Sequence, residues 1–125
     1  MLEIRKTVRG TQPQLPLKEI SQKILGSQYT LSLVICGDFL ARSVNKQYRK
    51  KTYAANVLSF PLAKNEGEIF LNIRKAAREA RQYNVSLRAR TALLFIHGCL
   101  HLKGLRHGDT MEATEQKTLR AFKIV

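Results

Sequence analysis

The chain has no tryptophan, two cysteines, three prolines and three histidines in 125 residues, and acidic side chains are scarce, 9 against 22 Lys and Arg. That shortage of acid leaves a formal charge of +13. Such an excess is of the sign that draws polyanions, so nucleic acid is the expected partner. No hydrophobic run approaches the roughly 20 residues that cross a bilayer, and the opening Met1-Leu2-Glu3-Ile4-Arg5 lacks the apolar stretch of a signal peptide. The sequence therefore reads as cytoplasmic, with no membrane partner. Cys36 and Cys99 stand far apart in apolar surroundings and form no Cys-x-x-Cys pair, which favours two buried free thiols over a disulfide. There is no repeat, low-complexity tract or long Pro/Gly/Ser linker, so residues 1–125 read as one domain, and an apolar fraction of 44% is enough for one core.

What is there alternates between strand and helix. Residues 2–8 alternate charged and apolar side chains as an edge strand does, and residues 16–25 open with Pro16 and carry helical spacing until Gly26. Tyr29 to Cys36 is a strand-like run. Asp38 is placed to cap a helix over 39–49 with Leu40, Val44 and Tyr48 facing inward. After a basic, polar connection at 50–55, Asn56-Val57-Leu58-Ser59-Phe60 reads as a strand stopped by Pro61, and residues 68–73 as its hairpin partner. An Ala/Arg/Glu-rich helix follows at 74–83. Ser86 is an N-cap for the next helix, and Asp109 for a last one carrying Met111, Leu119 and Phe122. Ala92-Leu93-Leu94-Phe95-Ile96 is apolar on every side, which puts its helix through the middle of the core. The expected fold is α+β: a small mixed β-sheet packed against helices, around a central buried helix.

That central helix carries the chemistry. All three histidines fall in His97-Gly98-Cys99-Leu100-His101-Leu102-Lys103-Gly104-Leu105-Arg106-His107. At about 100° per residue His97 and His101 project from one face, one turn apart. Gly104 can adopt the left-handed conformation that ends a helix and returns the chain, bringing His107 toward the same point. Three imidazoles with an open fourth position describe a catalytic zinc site, one ion per chain, although nickel, copper or iron also suit imidazole. Cys99, about 200° around the helix from His97, points away from it.

The same ligand spacing frames a class of zinc proteases, but those need a glutamate at the second position to move the proton. Here that position is Gly98. Ser59 has no visible acid–base partner, and its strand is expected to line a cleft through its backbone.

Asn45-x-x-Tyr48-Arg49, Asn56-Val57-Leu58-Ser59-Phe60-Pro61, Gly67-Glu68-Ile69 and His97-Gly98-x-Leu100-His101-Leu102-x-Gly104-x-x-His107 follow one another in this order. In this the chain resembles the YbeY endoribonucleases, the bacterial rRNA maturation factors, over residues 45–109. The resemblance implies a metal-dependent, single-strand-specific endoribonuclease acting on ribosomal RNA, at the 3′ end of the small-subunit RNA, and in ribosome quality control. It also implies His97, His101 and His107 as zinc ligands and Arg49 as the functionally important arginine.

The residues themselves allow those roles. A guanidinium fork matches phosphate geometry, so Arg49 can add a second cation, although the run Arg49-Lys50-Lys51 also suits a solvated helix end. Lys50 and Lys51, with Arg74, Arg78 and Arg81 at i, i+4, i+7 on one helix face, are the candidate RNA contacts. Tyr53 is the candidate for stacking a base, with Tyr29 and Tyr48 assigned to the core. Two positions depart from the family pattern. Arg106 stands where an aspartate is usual, leaving Asp109 or Glu112 to supply the missing carboxylate, and Glu68 replaces another aspartate. Two other readings stay open: a zinc hydrolase of another substrate such as a peptide, and a non-catalytic basic RNA- or ribosome-binding protein with a structural or vestigial metal site.

Overall fold

A computed structural model describes residues 1–125. The chain runs β1 (Leu2–Lys6), α1 (Leu17–Leu25), β2 (Thr30–Cys36), α2 (Asp38–Arg49), β3 (Val57–Ala63), β4 (Glu66–Asn72), α3 (Ile73–Gln82), α4 (Leu87–Lys103) and α5 (Asp109–Ala121). The strands form one mixed sheet in the order β1-β2-β4-β3. In it β1 and β4 run parallel to β2, and β3 pairs antiparallel with β4. This is the α+β arrangement the sequence predicts, with β1 at one edge and the hairpin strand β3 at the other.

The second half of β2, Leu33 to Cys36, reads as an unbroken apolar run because both its faces are covered there. Leu31, Leu33 and Ile35 join the main core on one side, while Val34 and Cys36 meet Ala41 of α2 on the other. Helix α4 lies on the first side, against β3 and β4, with α1, α3 and α5 packed around it. Phe95, Ile96 and Cys99 are 0% exposed, as the all-round apolar pattern requires. No helix is long and apolar enough to cross a membrane.

Both cysteines are free and buried. Burial pushes the Cys36 thiol up to about 11 and the Cys99 thiol up as well, so neither is available as a thiolate.

Several local expectations are corrected. The strand does not stop at Pro61 but runs on to Ala63; β3 is an edge strand, where a missing N–H breaks no second ladder. Asp38 and Asp109 are not caps but the first helical residues, after Gly37 and Gly108. The Asp38 carboxylate instead accepts from Arg78 and from Asn72 Nδ2, and these bonds hold its carboxyl down at about 2. Tyr48 is not core: it is 64% exposed, its ring 5.4 Å from that of Phe60 on the open edge strand. The buried place on α2 goes to Asn45, which is 0% exposed.

One side chain the sequence reading passed over joins four segments. Asn72, 0% exposed, caps α3 by accepting from the Lys75 N–H at 3.1 Å. Its amide donates to Asp38 Oδ1 at 2.9 Å and to the Ala55 carbonyl at 3.2 Å. The end of β4, the start of α2, the start of α3 and the connection before β3 are thereby fixed to one another.

Candidate metal centre

Helix α4 begins where Ser86 Oγ accepts from the Ala89 N–H at 3.0 Å and ends at Gly104, whose φ of +110° is left-handed. The N–H groups of Gly104 and Leu105 return to the Leu100 carbonyl, closing the last turn and sending the chain back over it. His107 therefore comes to rest beside the two helical histidines. Ring centroids are 4.5 Å apart for His97 and His101, and 4.8 Å from each of these to His107. One ligand atom from each of the three lies within 4.8 Å of the others, and the Nε2 atoms of His97 and His101 are 3.0 Å apart. Nitrogens on a tetrahedral zinc ion stand about 3.3 Å from one another, so this donor set fits a metal ion.

The protonation of the rings suits that purpose. Glu115 of α5, 7% exposed, places Oε2 2.5 Å from His97 Nδ1. A carboxylate only accepts, so Nδ1 donates in this pair and Nε2 is the nitrogen turned toward the other rings. Burial first, then the rings of His97 and His107, lower the pKa of His101 and so favour its neutral form.

Glu115 is the functional residue that sequence reasoning missed. The carboxylate was expected from Asp109 or Glu112, but both are exposed and neither bonds a histidine. The signal was present: Glu115 follows Met111 at i+4 and precedes Thr118 at i+3, an acid on the buried stripe of an amphipathic helix. Replacing it by Ala removes the acceptor that orients His97. Metal affinity is expected to fall by about 10–100-fold, with Glu115→Gln in between, as measured by competition against a chromogenic chelator.

The rings share a cleft of about 650 Å³ with Arg49, Tyr53, Lys75 and the segment 55–59. Arg49, the last residue of α2, donates from Nη1 to Asn45 Oδ1 at 3.2 Å. Ser59 Oγ donates to the Gly98 carbonyl at 3.0 Å, so the serine hydroxyl is engaged in joining β3 to α4.

Of the expected RNA contacts, Lys50 and Lys51 are exposed beside Arg49 but do not line the cleft. The arginine stripe does not reach it either. Arg74 donates to the Arg9 carbonyl at 2.8 Å, Arg78 forms a bidentate pair with Asp38, and Arg81 is exposed. The cation that α3 does bring to the cleft is Lys75, one residue off the stripe.

Residues 4–123 match the family model described as endoribonuclease YbeY. The chain belongs to the YbeY family. Curated relatives named endoribonuclease YbeY include that of Mycoplasma mycoides subsp. mycoides, 35% identical over 113 residues, covering 74% of this chain and 69% of the relative. That of Geobacter metallireducens is 33% identical over 114 residues, covering 81% and 76%. That of Mycoplasma mobile is 41% identical over 99 residues, covering 71% and 65%. This YbeY-family chain thus spans about two thirds to three quarters of the length of these relatives. The solution structure of TM1509 from Thermotoga maritima shares the fold, with a TM-score of 0.70 at 24% identity over 96% of this chain and 87% of that one.

Proposed function

We propose that this YbeY-family endoribonuclease cuts single-stranded RNA with one zinc ion held by His97, His101 and His107, and that its substrate is ribosomal RNA, at the 3′ end of the small-subunit RNA, in the cytoplasm. The observation that carries this reading is the convergence of three imidazoles in a cleft that also holds Arg49. A bound zinc ion would supply Lewis acidity toward the phosphoryl oxygens and toward water. The chain's own residues do the rest. Glu115 fixes the ring of His97, and Asn45 holds the Arg49 guanidinium, whose fork can take two oxygens of a scissile phosphate and stabilise the charge that grows on them.

No Asp or Glu lines this cleft, and Glu115 is engaged by His97, so the chain supplies no carboxylate base of the kind peptide hydrolysis requires. Gly98 cannot supply one: a Cβ there would lie 3.0 Å from Ile69 Cδ1 and from Ser59 Oγ.

The test is cleavage of an unstructured RNA and of the same sequence folded in a hairpin, before and after chelation and after zinc is restored. One metal equivalent per chain, cutting confined to the single strand, and loss and recovery with zinc are expected. A 5′-phosphate product end would identify water as the nucleophile, and a 2′,3′-cyclic phosphate the RNA's own 2′-hydroxyl. Cutting that ignores chelation would overturn the proposal, and RNA binding without any cutting would leave the non-catalytic reading.

A further inference from the structure

We propose that the segment Tyr53–Asn56, braced by Lys75, is a nucleotide subsite of the cleft: the Lys75 ammonium and the Ala55 amide take a backbone phosphate, and the Tyr53 ring stacks a base. The subsite rests on the RNA reading above and says which residues outside the histidine centre hold the strand.

The hydrogen bonds of this segment are one-sided. Every carbonyl in it is taken from within the protein. Tyr53 O accepts from Asn45 Nδ2 at 3.0 Å, Ala54 O from Lys75 Nζ at 2.7 Å, Ala55 O from Asn72 Nδ2 at 3.2 Å and Asn56 O from the Asn72 N–H at 2.9 Å. None of its N–H groups has an acceptor in the protein. Ala54 and Ala55 are only 7% and 5% exposed, and a buried amide without an acceptor is rare because it forfeits a hydrogen bond that water would have given. Of the two, Ala55 lines the cleft, and the acceptor its amide lacks is one a ligand there can bring.

The chemistry of that acceptor follows from its surroundings. With four carbonyls turned to internal donors, the segment offers the positive ends of its peptide dipoles, the arrangement that binds anions. Lys75 uses one of its three donors on Ala54 O and keeps two. Arg49 adds the second cation of the same cleft.

A nucleotide is favoured over a simple anion by Tyr53. In a chain without tryptophan its ring lines the cleft, is 50% exposed and packs against no other aromatic ring. The Lys75 ammonium lies 5.5 Å from its centroid, so the phosphate donor and the stacking surface are adjacent, as they are in a nucleotide.

The test uses the metal-loaded full chain and fluorescence anisotropy with a labelled single-stranded oligodeoxynucleotide, which keeps the phosphates and bases. Tyr53→Leu is expected to weaken binding by about 5–150-fold, the range of one lost stacking contact, while Tyr53→Phe stays within about twofold. Lys75→Gln should lower the slope of log affinity against log salt by about 0.7, the value for one phosphate on a single strand, and Lys75→Arg should restore it. In cleavage of single-stranded RNA, Tyr53→Leu should raise KM with kcat unchanged, since stacking holds ground and transition states alike.

An unchanged affinity for Tyr53→Leu, or an unchanged salt slope for a folded Lys75→Gln, overturns the subsite while the RNA reading stands. A wild-type chain that neither binds nor cuts single strands overturns both.

Discussion

His101→Ala is expected to empty the metal centre and to lower RNA cleavage by about a thousandfold or more, without unfolding the chain. The His101 and His97 Nε2 atoms stand 3.0 Å apart, and losing one of the three leaves only His97 and His107 as donors. The chain has no fourth histidine, both cysteines are buried in other parts of the core, and no other cluster of His, Cys, Asp or Glu could hold an ion. No replacement ligand is within reach. Removing one preorganised electrostatic stabiliser from an active site already costs about 10²–10³ in rate, and this substitution removes the site of the ion itself. His101 is only partly buried at the end of α4, so little packing is lost and the helical content should match wild type. Elemental analysis of the purified variant, circular dichroism and single-strand cleavage measured side by side check all three statements. A variant that keeps one metal equivalent and full activity would remove His101 from the centre.

The histidine centre was legible because it is local. His97, His101 and Gly104 sit on one helix and its cap, where spacing alone sets geometry, and His107 follows within a single reversal of the chain. The elements were legible for a similar reason. Ser86, Gly104, Pro16 and Gly26 act on their own helix ends, and the second half of β2 announces burial on both faces by its composition. What escaped depends on contacts between distant segments. Glu115 meets His97 across 18 residues, and Asn72 reaches 34 residues to Asp38. Lys75 differs from its exposed neighbour Arg74 by the 100° that one helical step turns it, toward the Tyr53–Asn56 segment rather than toward Arg9. Tyr48 was misread because periodicity says which face of α2 turns inward but not that the strand beneath its last turn is an edge.

Gly98→Glu, which would write the protease motif into α4, is expected to unfold the protein at a lower temperature rather than to create a peptidase. His97 and His101 occupy the face of α4 that turns to the cleft, and residue 98 is one step around, where the helix lies on β3 and β4. A Cβ at Gly98 would meet Ile69 Cδ1 and Ser59 Oγ at 3.0 Å and Val57 Cγ2 at 3.3 Å. The Ser59 hydroxyl cannot swing aside freely, because it donates to the Gly98 carbonyl. Alanine there sets a gain of about 1 kcal/mol in helix propensity against overpacking of about 1–3 kcal/mol, so its net effect is small. Glutamate adds four heavy atoms beyond the Cβ, which that contact cannot hold, and delivers a carboxylate with no partner into an apolar interface, about 1–3 kcal/mol more. Together, less the gain in helix propensity, these come to about 1–5 kcal/mol, a fall of roughly 4–20 °C in Tm for a chain of this size. Thermal melting of Gly98→Ala and Gly98→Glu beside the wild type separates the two contributions. A glutamate variant that melts with the wild type would mean that α4 can lift from the sheet, and the close approach at Gly98 would then no longer explain why the second position of the histidine motif is empty of a side chain.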